Sequence, residues 1–206
     1  MHIYGEYKNE LEKTLDHLMA TIKAFRKEEK ARGNSVYEHL SARIKDEESM
    51  REKLRRKGLP MRPEAALFDV RDAIGIRVIC HFIDDVYRMR DMLTEKMGLT
   101  LVEEKDYIKN VKPNGYRSLH LIYAVPREKK EGERLGEGEE NFYAEVQIRT
   151  IAMDTWASLE HEMMYKHIVK NRELLTTELK RCADELAAAE LSMQTIRRLI
   201  ASSSAD

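Results

Sequence analysis

Between residues 3 and 30, apolar side chains return every three or four positions: Tyr7, Leu11, Leu15, Leu18, Ile22 and Phe25. That period puts them on one stripe and predicts an amphipathic helix. Gly33, Asn34 and Ser35 interrupt it. Ser35 followed by Glu38 has the form of a capping box, which predicts a second helix running to about Lys57. Gly58 and Pro60 stop that helix. Residues 76–82 are almost continuously apolar, as in a central strand buried on both faces. Asp84 and Asp85 open a helix to about Met97, and strands are expected at 99–108 and 117–125. Residues 127–140 are rich in charge and glycine and read as an exposed hairpin loop, with a returning strand at 142–148. Helices over 151–168 and 171–201 follow, and the Ser-rich tail at 202–206 is expected to fray. This order predicts an α+β fold, a mixed β-sheet flanked by helices, with long helices at both ends. Residues 1–206 read as one domain.

The last helix carries a second pattern. Leu175, Leu179, Cys182, Leu186, Ala189, Met193, Ile196 and Ile200 step by four and three in alternation, a heptad seam. A helix of that length spans about 46 Å, long against a domain whose radius of gyration is near ~17 Å. The seam predicts that 171–201 is an oligomerisation element, against the plainer alternative that it packs only on the chain's own helices.

Composition narrows the function classes. The net charge of −1 excludes a generic polyanion binder, although five cations stand among residues 51–57. Cys80 and Cys182 have neither disulfide-framework nor zinc spacing, so a reducing compartment is expected. No stretch of about 18 apolar residues occurs, so no membrane partner is expected and the protein reads as cytoplasmic.

Three segments carry the candidate chemistry. Residues 112–120 read Lys112-Pro113-Asn114-Gly115-Tyr116-Arg117-Ser118-Leu119-His120. Asn114-Gly115 is a tight-turn signal, and alternation after it sets Tyr116, Ser118 and His120 on one face, a floor suited to a polar aromatic ligand. In the strand at 142–148 and just beyond it, Glu145, Gln147 and Arg149 share the face opposite Val146 and Ile148. For an isolated strand this is more often a half-solvated edge. Asp72, just before Gly75 and the apolar run, is by itself a common turn residue. Paired with Glu145 it would supply the two-carboxylate grip that Mg²⁺ takes beside substrate phosphates. Lys45, Ser49, Lys53 and Arg56 stand at helical spacing and suit a triphosphate, against the plainer reading of a solvated face paired to its acids. His161 and Tyr165, four apart, line either the site or a core.

Together these segments, with Arg43-Ile44-Lys45, residues 72–77, 109–120, 145–150 and 156–166, resemble the small alarmone synthetases, the single-domain form of the RelA/SpoT-type (p)ppGpp synthetases. The resemblance covers nearly the whole chain. It implies a nucleotidyltransferase fold related to DNA polymerase β, and transfer of pyrophosphate from ATP to the ribose 3′-OH of GTP or GDP with release of AMP. By that resemblance Asp72 and Glu145 bind Mg²⁺, and Glu145 also serves as general base. Arg43 and Arg77 sandwich adenine, and Lys45, Ser49, Lys53 and Arg56 hold the ATP phosphates. Tyr116 stacks on guanine. Lys105, Lys112, Arg117, His120 and Gln147 orient the acceptor, with His161 beside them. Strict alternation would set Arg117 opposite Tyr116 unless the strand starts late.

The chain has no His-Asp dipeptide of the kind that marks the family's hydrolase domain, so a synthetase without hydrolase is expected. The resemblance also implies a homotetramer, with a regulatory alarmone or single-stranded RNA as a further partner. His39 and Ser41 do not match the alarmone site that some members carry near there. Two other functions compete: a toxin-type relative that pyrophosphorylates an adenine nucleotide or the tRNA 3′ end, and an inactive nucleotide- or RNA-binding regulator. Keeping both Asp72 and Glu145 argues against the inactive one.

Overall fold

The computed structural model describes residues 2–127, 140–164 and 171–203. A short turn at Gly5–Tyr7 leads into α1 (Lys8–Ala31), whose Leu11, Leu18, Ile22 and Phe25 are buried as the apolar stripe predicts. β1 (Tyr37–Ile44), α2 (Glu47–Lys57) and β2 (Ile74–Cys80) follow. Next come α3 (Ile83–Asp91), β3 (Thr100–Asp106), β4 (Leu119–Pro126) and β5 (Asn141–Thr150). The chain continues through α4 (Ile151–Met164) and α5 (Arg172–Ser203). The expected hairpin loop and the end of the helix after β5, with Tyr165, lie outside the described residues.

The expected second helix is instead two elements. After an irregularity in register between Tyr37 and His39, the residues from His39 to Ile44 alternate, with Leu40, Ala42 and Ile44 packed on the core and Ser41 and Arg43 exposed, the period of a strand. Ser35 and Glu38 form no cap. The cap is Asp46, whose carboxylate accepts the Ser49 backbone N–H at 2.9 Å. Gly58, at φ 67°, closes α2 by donating its N–H to the carbonyls of Leu54 and Arg55.

The sheet therefore has five strands, in the order β1-β2-β5-β4-β3. β2 and β5 run parallel, and the other neighbours run antiparallel. One face is the core: Ile74, Ile76 and Val78 on β2, Val146 and Ile148 on β5, and Leu119 and Leu121 on β4 pack with the stripes of α1 and α3. β2 departs from the expectation of burial on both faces. Gly75 is half-buried and Arg77 is exposed, and only Val78, Ile79 and Cys80 are buried in succession. The other face of the sheet is thus left open at its centre.

α5 is apolar on its outer side. Toward the body it presents Leu179 and Ala183, then the polar Glu190 and Gln194. Glu190 accepts from the Thr150 hydroxyl at 3.0 Å, and Arg197 pairs with the buried Asp85 at 2.6 Å. Of the predicted seam, Leu179 is buried and Leu186 partly so, whereas Met193, Ile196 and Ile200 are at least half exposed. Beyond Leu186 the seam residues Ala189, Met193, Ile196 and Ile200 are exposed among the described residues. No described helix is long and apolar enough to cross a membrane.

Candidate active site

Strand register builds the site from two adjacent rows of side chains across the open face. In one row Ser41 faces Arg77, Arg77 faces Gln147, Gln147 faces His120, and His120 faces Lys105. In the next row Arg43 faces Gly75, Gly75 faces Glu145, Glu145 faces Ile122, and Ile122 faces Glu103. The residues come from five separate strands, and the pairing alone brings them together.

Gly75 matters because it has no side chain between Arg43 and Glu145. A Cβ built there would meet only the Arg43 carbonyl, at 3.8 Å. The gap forms the floor of a cleft lined by Arg43, Lys45, Asp72, Arg77, Glu145 and Gln147. A second cavity shares Asp72 and Glu145 and brings in Lys53, Lys57, Arg71 and Lys105. A third shares Glu145 and Lys105 and is walled by Tyr107, Lys112 and His120. Three chambers thus converge on Glu145, and two of them share Asp72 as well.

Lys45 lies not on α2 but at the junction before it. Its N–H donates to Ala73 O at 2.9 Å, and its carbonyl accepts from the buried Tyr4 hydroxyl at 2.6 Å. Its ammonium then meets Asp72 Oδ2 at 2.5 Å, where Lys53 arrives from α2, also at 2.5 Å. Burial by itself would raise the Asp72 carboxyl. The hydrogen bonds and charges of the two lysines outweigh it and hold the group below the usual carboxylate range. Asp72 Oδ1 is buried without a hydrogen-bond partner.

A hydrogen bond from His120 holds the Glu145 carboxyl below its usual range, with burial and the nearby Asp72 pulling the other way. His120 Nδ1 lies 3.3 Å from Glu145 Oε1, and Gln147 donates to Oε2 at 3.3 Å. His120 Nε2 lies 2.8 Å from the Tyr116 hydroxyl, which accepts from Arg149 at 2.8 Å. Arginine only donates. With a neutral imidazole, the Tyr116 O–H therefore donates to Nε2, and Nδ1–H donates to Glu145. A polar relay runs from Arg149 to the carboxylate.

The ring of Tyr116 stands edge-on to Tyr107, at 6.0 Å between centroids, and to Trp156, at 6.3 Å. Lys112 lies over both Tyr107 and Tyr116. Tyr107 and Arg149 were not singled out as site residues from the sequence. Alternation from Lys105 would have placed Tyr107 on this face, and Arg149 was already on the face of Glu145. Lys57 and Arg71 gave no signal, because a cation in a charged run looks like any other.

Other expectations are not gathered here. β4 begins at Leu119, so Tyr116, Arg117 and Ser118 precede the strand and do not alternate with it. Ser118 is buried and donates to the Ile148 carbonyl at 3.3 Å. Arg117 turns to α5 and pairs with Asp184 at 2.8 Å. Ser49 and Arg56 are exposed on α2, and His161 is exposed on α4. None of these three lines the three chambers described above.

The donor set suits a hard divalent cation: two ionised carboxylates beside an open cleft, one with a buried oxygen lacking a partner. Asp72 and Glu145 are the residues that could hold it.

Comparison with known proteins agrees with this geometry. The family model for the region found in RelA/SpoT proteins matches residues 42–170. GTP pyrophosphokinase YwaC of Bacillus subtilis is 43% identical over 152 residues, covering 74% of this chain and 70% of the relative. GTP pyrophosphokinase YjbM of the same organism is 33% identical over 164 residues, covering 80% and 74%. The crystal structure of small alarmone synthetase 1 from Bacillus subtilis, bound to its product pppGpp, superposes with a TM-score of 0.76 at 30% identity, covering 93% of this chain and 94% of that one. The strand pairing, the two carboxylates and these likenesses converge: the chain belongs to the RelA/SpoT family, and within it to the small alarmone synthetases.

Proposed function

We infer that this chain is a GTP pyrophosphokinase that transfers the β,γ-pyrophosphoryl group of ATP to the ribose 3′-OH of GTP or GDP, making (p)ppGpp and releasing AMP. One observation carries the reading: Glu145 stands where a two-arginine cleft, which also holds Asp72, meets an aromatic and cationic chamber. A donor nucleotide and an acceptor nucleotide can therefore meet over Glu145. Arg43 and Arg77 flank the floor at Gly75 and suit a flat purine, since a guanidinium stacks where an ammonium does not. Lys45 and Lys53 take the donor phosphates, and Lys57 and Arg71 line the chamber beside them. Tyr116 offers its ring to the guanine, with Tyr107 and Lys112 around it.

Mg²⁺ held by Asp72 and Glu145 would offset charge on the transferred phosphates. Glu145 is the acceptor of the 3′-OH proton, and the His120–Tyr116–Arg149 relay orients it. Phosphoryl transfer is mostly positioning and charge stabilisation, so no protein nucleophile is required. The test is direct: purified protein with ATP and Mg²⁺ is given GDP, GTP, ATP or tRNA in turn. Guanosine 3′-pyrophosphates together with AMP are expected. Product on an adenine nucleotide or tRNA alone would move the chain to the toxin-type reading. No product with any acceptor would make it a binding module.

Tyr116→Ala is expected to raise the acceptor KM about 5- to 150-fold, since stacking on a base contributes roughly 1–3 kcal/mol, with little change in the ATP KM. Tyr116→Phe keeps the π-face but cuts the relay. It should therefore leave the acceptor KM near wild type and lower kcat about two- to ten-fold. Steady-state kinetics with each nucleotide varied separately separates the two. Equal losses for both nucleotides in the alanine variant would contradict the division of the site.

A homotetramer and a bacterial cytoplasm complete the reading, with ATP and GTP or GDP as substrates. Both cysteines are free, which fits a reducing medium. Met193, Ile196, Leu199 and Ile200 are each at least 50% exposed on the outer side of α5, a ridge that a second copy of the chain would cover. Light scattering should give a mass of about four times the 24.1 kDa chain. Ile196→Glu with Ile200→Glu should reduce it without unfolding the chain. A monomeric wild type at micromolar concentration would overturn the assembly.

A further inference from the structure

We propose that α5 is a latch for the acceptor site: Asp184 and Ala183 are positioning residues that fix the loop carrying Tyr116. The proposal rests on the reading of Tyr116 as the ring that receives guanine. Five contacts converge on this loop and its support. Arg117 donates to Asp184 Oδ1 at 2.8 Å, and Lys180 donates to Oδ2 of the same carboxylate at 2.6 Å. Gly115, at φ +92°, lies so close under α5 that an added Cβ would stand 2.6 Å from the Ala183 Cβ and 2.9 Å from the Lys180 Cα. Trp156 donates its indole N–H to the Leu179 carbonyl at 2.8 Å. The same indole meets the Tyr116 ring edge-on.

The sheet holds only the two ends of this stretch: the Tyr116 hydroxyl meets His120 and Arg149, and Ser118 donates to the Ile148 carbonyl. Tyr116 and Arg117 lie outside any strand, and the turn before them is closed by Gly115 N–H to Lys112 O at 2.8 Å. Trp156, Leu179 and Ala183 form a small apolar cluster of their own, separate from the main core, and Tyr116 packs against it. The hydroxyl of the ring that meets guanine is thus tied to the sheet through His120 and Arg149, while the ring body and the loop backbone rest on the cluster of α4 and α5. A loop that is ordered only part of the time binds its ligand more weakly by that fraction. Loosening α5 should weaken the acceptor and spare ATP, whose arginines and lysines stand on β1, β2, α2 and the β1–α2 junction.

Arg117 thus acts through α5 and not on the nucleotide. Asp184→Ala tests this with small risk to the fold, since the Asp184 side chain is 44% exposed. Hydrogen–deuterium exchange of residues 112–118 without nucleotide is expected to quicken about two- to five-fold, the range of a partly exposed ion pair. The Kd for GDP alone should rise by a similar factor, and the Kd for a non-hydrolysable ATP analogue should not move. Trp156 is the single tryptophan, so its emission reports the same contact. Arg117→Asp combined with Asp184→Arg should restore GDP affinity to within about two-fold of wild type.

Unchanged exchange in Asp184→Ala would overturn the latch. So would faster exchange with unaltered GDP binding, or a swapped pair no better than Arg117→Asp alone, which would return Arg117 to direct contact with the acceptor. A wild-type protein that binds no guanine nucleotide would instead overturn the functional reading, while the exchange measurement would still decide whether Asp184 holds the loop.

Discussion

Glu145→Gln is expected to lower kcat by at least about 10²-fold while the Kd for an ATP analogue stays within a few-fold of wild type. The swap is nearly isosteric. It keeps an oxygen for His120 Nδ1–H and removes the negative charge and the basicity. General-base assistance typically contributes about 10²- to 10⁴-fold and is greatest when the base titrates near the working pH. The His120 hydrogen bond holds the Glu145 carboxyl below the usual range, which makes it a weaker base. The proton-transfer share therefore falls toward the lower end of that range, and the lost charge beside Asp72 adds to it. The same shift keeps Glu145 ionised at neutral pH, so no loss of rate from its titration is expected between pH 6 and 8. Single-turnover rates and analogue titrations on both proteins make the test. A variant keeping more than about a tenth of the wild-type rate at saturating Mg²⁺ would remove Glu145 from the chemistry.

The sequence read most faithfully where one period dominates. The stripe of α1 and the alternation of Glu145, Gln147 and Arg149 on β5 were both legible, and the structure keeps them. It misled at residues 35–46, where a serine and a glutamate at cap spacing competed with the alternation from His39 to Ile44 that was the true signal. That error also fused Lys45 to the α2 stripe. Lys45 still reaches Asp72, because the β1 ladder and the Tyr4 hydroxyl hold the junction. Arg117 was ambiguous for a related reason. Alternation applies only inside a strand, and β4 begins two residues later. What no pattern reveals is cross-strand register, and register makes the site. Gly75 gains its meaning only once it stands between Arg43 and Glu145. The seam on α5 was legible as a period but not as a direction, since Glu190 and Gln194 face inward while Met193 and Ile196 face out.

Asp72→Asn should be at least as damaging to activity as Glu145→Gln, with a modest cost in stability. Its carboxylate is the shared acceptor of Lys45 and Lys53, and it supplies half of the negative charge that two converging chambers offer a divalent cation. Charge stabilisation of this kind is worth several kcal/mol in the transition state, so a loss of about 10³-fold or more is expected at 1.36 kcal/mol per factor of ten. Removing the partner of a fully buried cation costs about 3–5 kcal/mol. Lys45 and Lys53 keep about a fifth of their side-chain surface in water and can turn outward. The stability cost should therefore be nearer 1–2 kcal/mol, seen as a modest shift in the urea midpoint. Asp72→Glu keeps the charge but moves it by about one methylene. A misplacement of about 1 Å can cost roughly 10²-fold, so glutamate should recover stability and little rate. Titration of Mn²⁺ in the presence of an ATP analogue provides a readout independent of turnover. Asparagine should weaken metal binding at least about ten-fold, and unaltered Mn²⁺ affinity would show that Asp72 serves the two lysines alone.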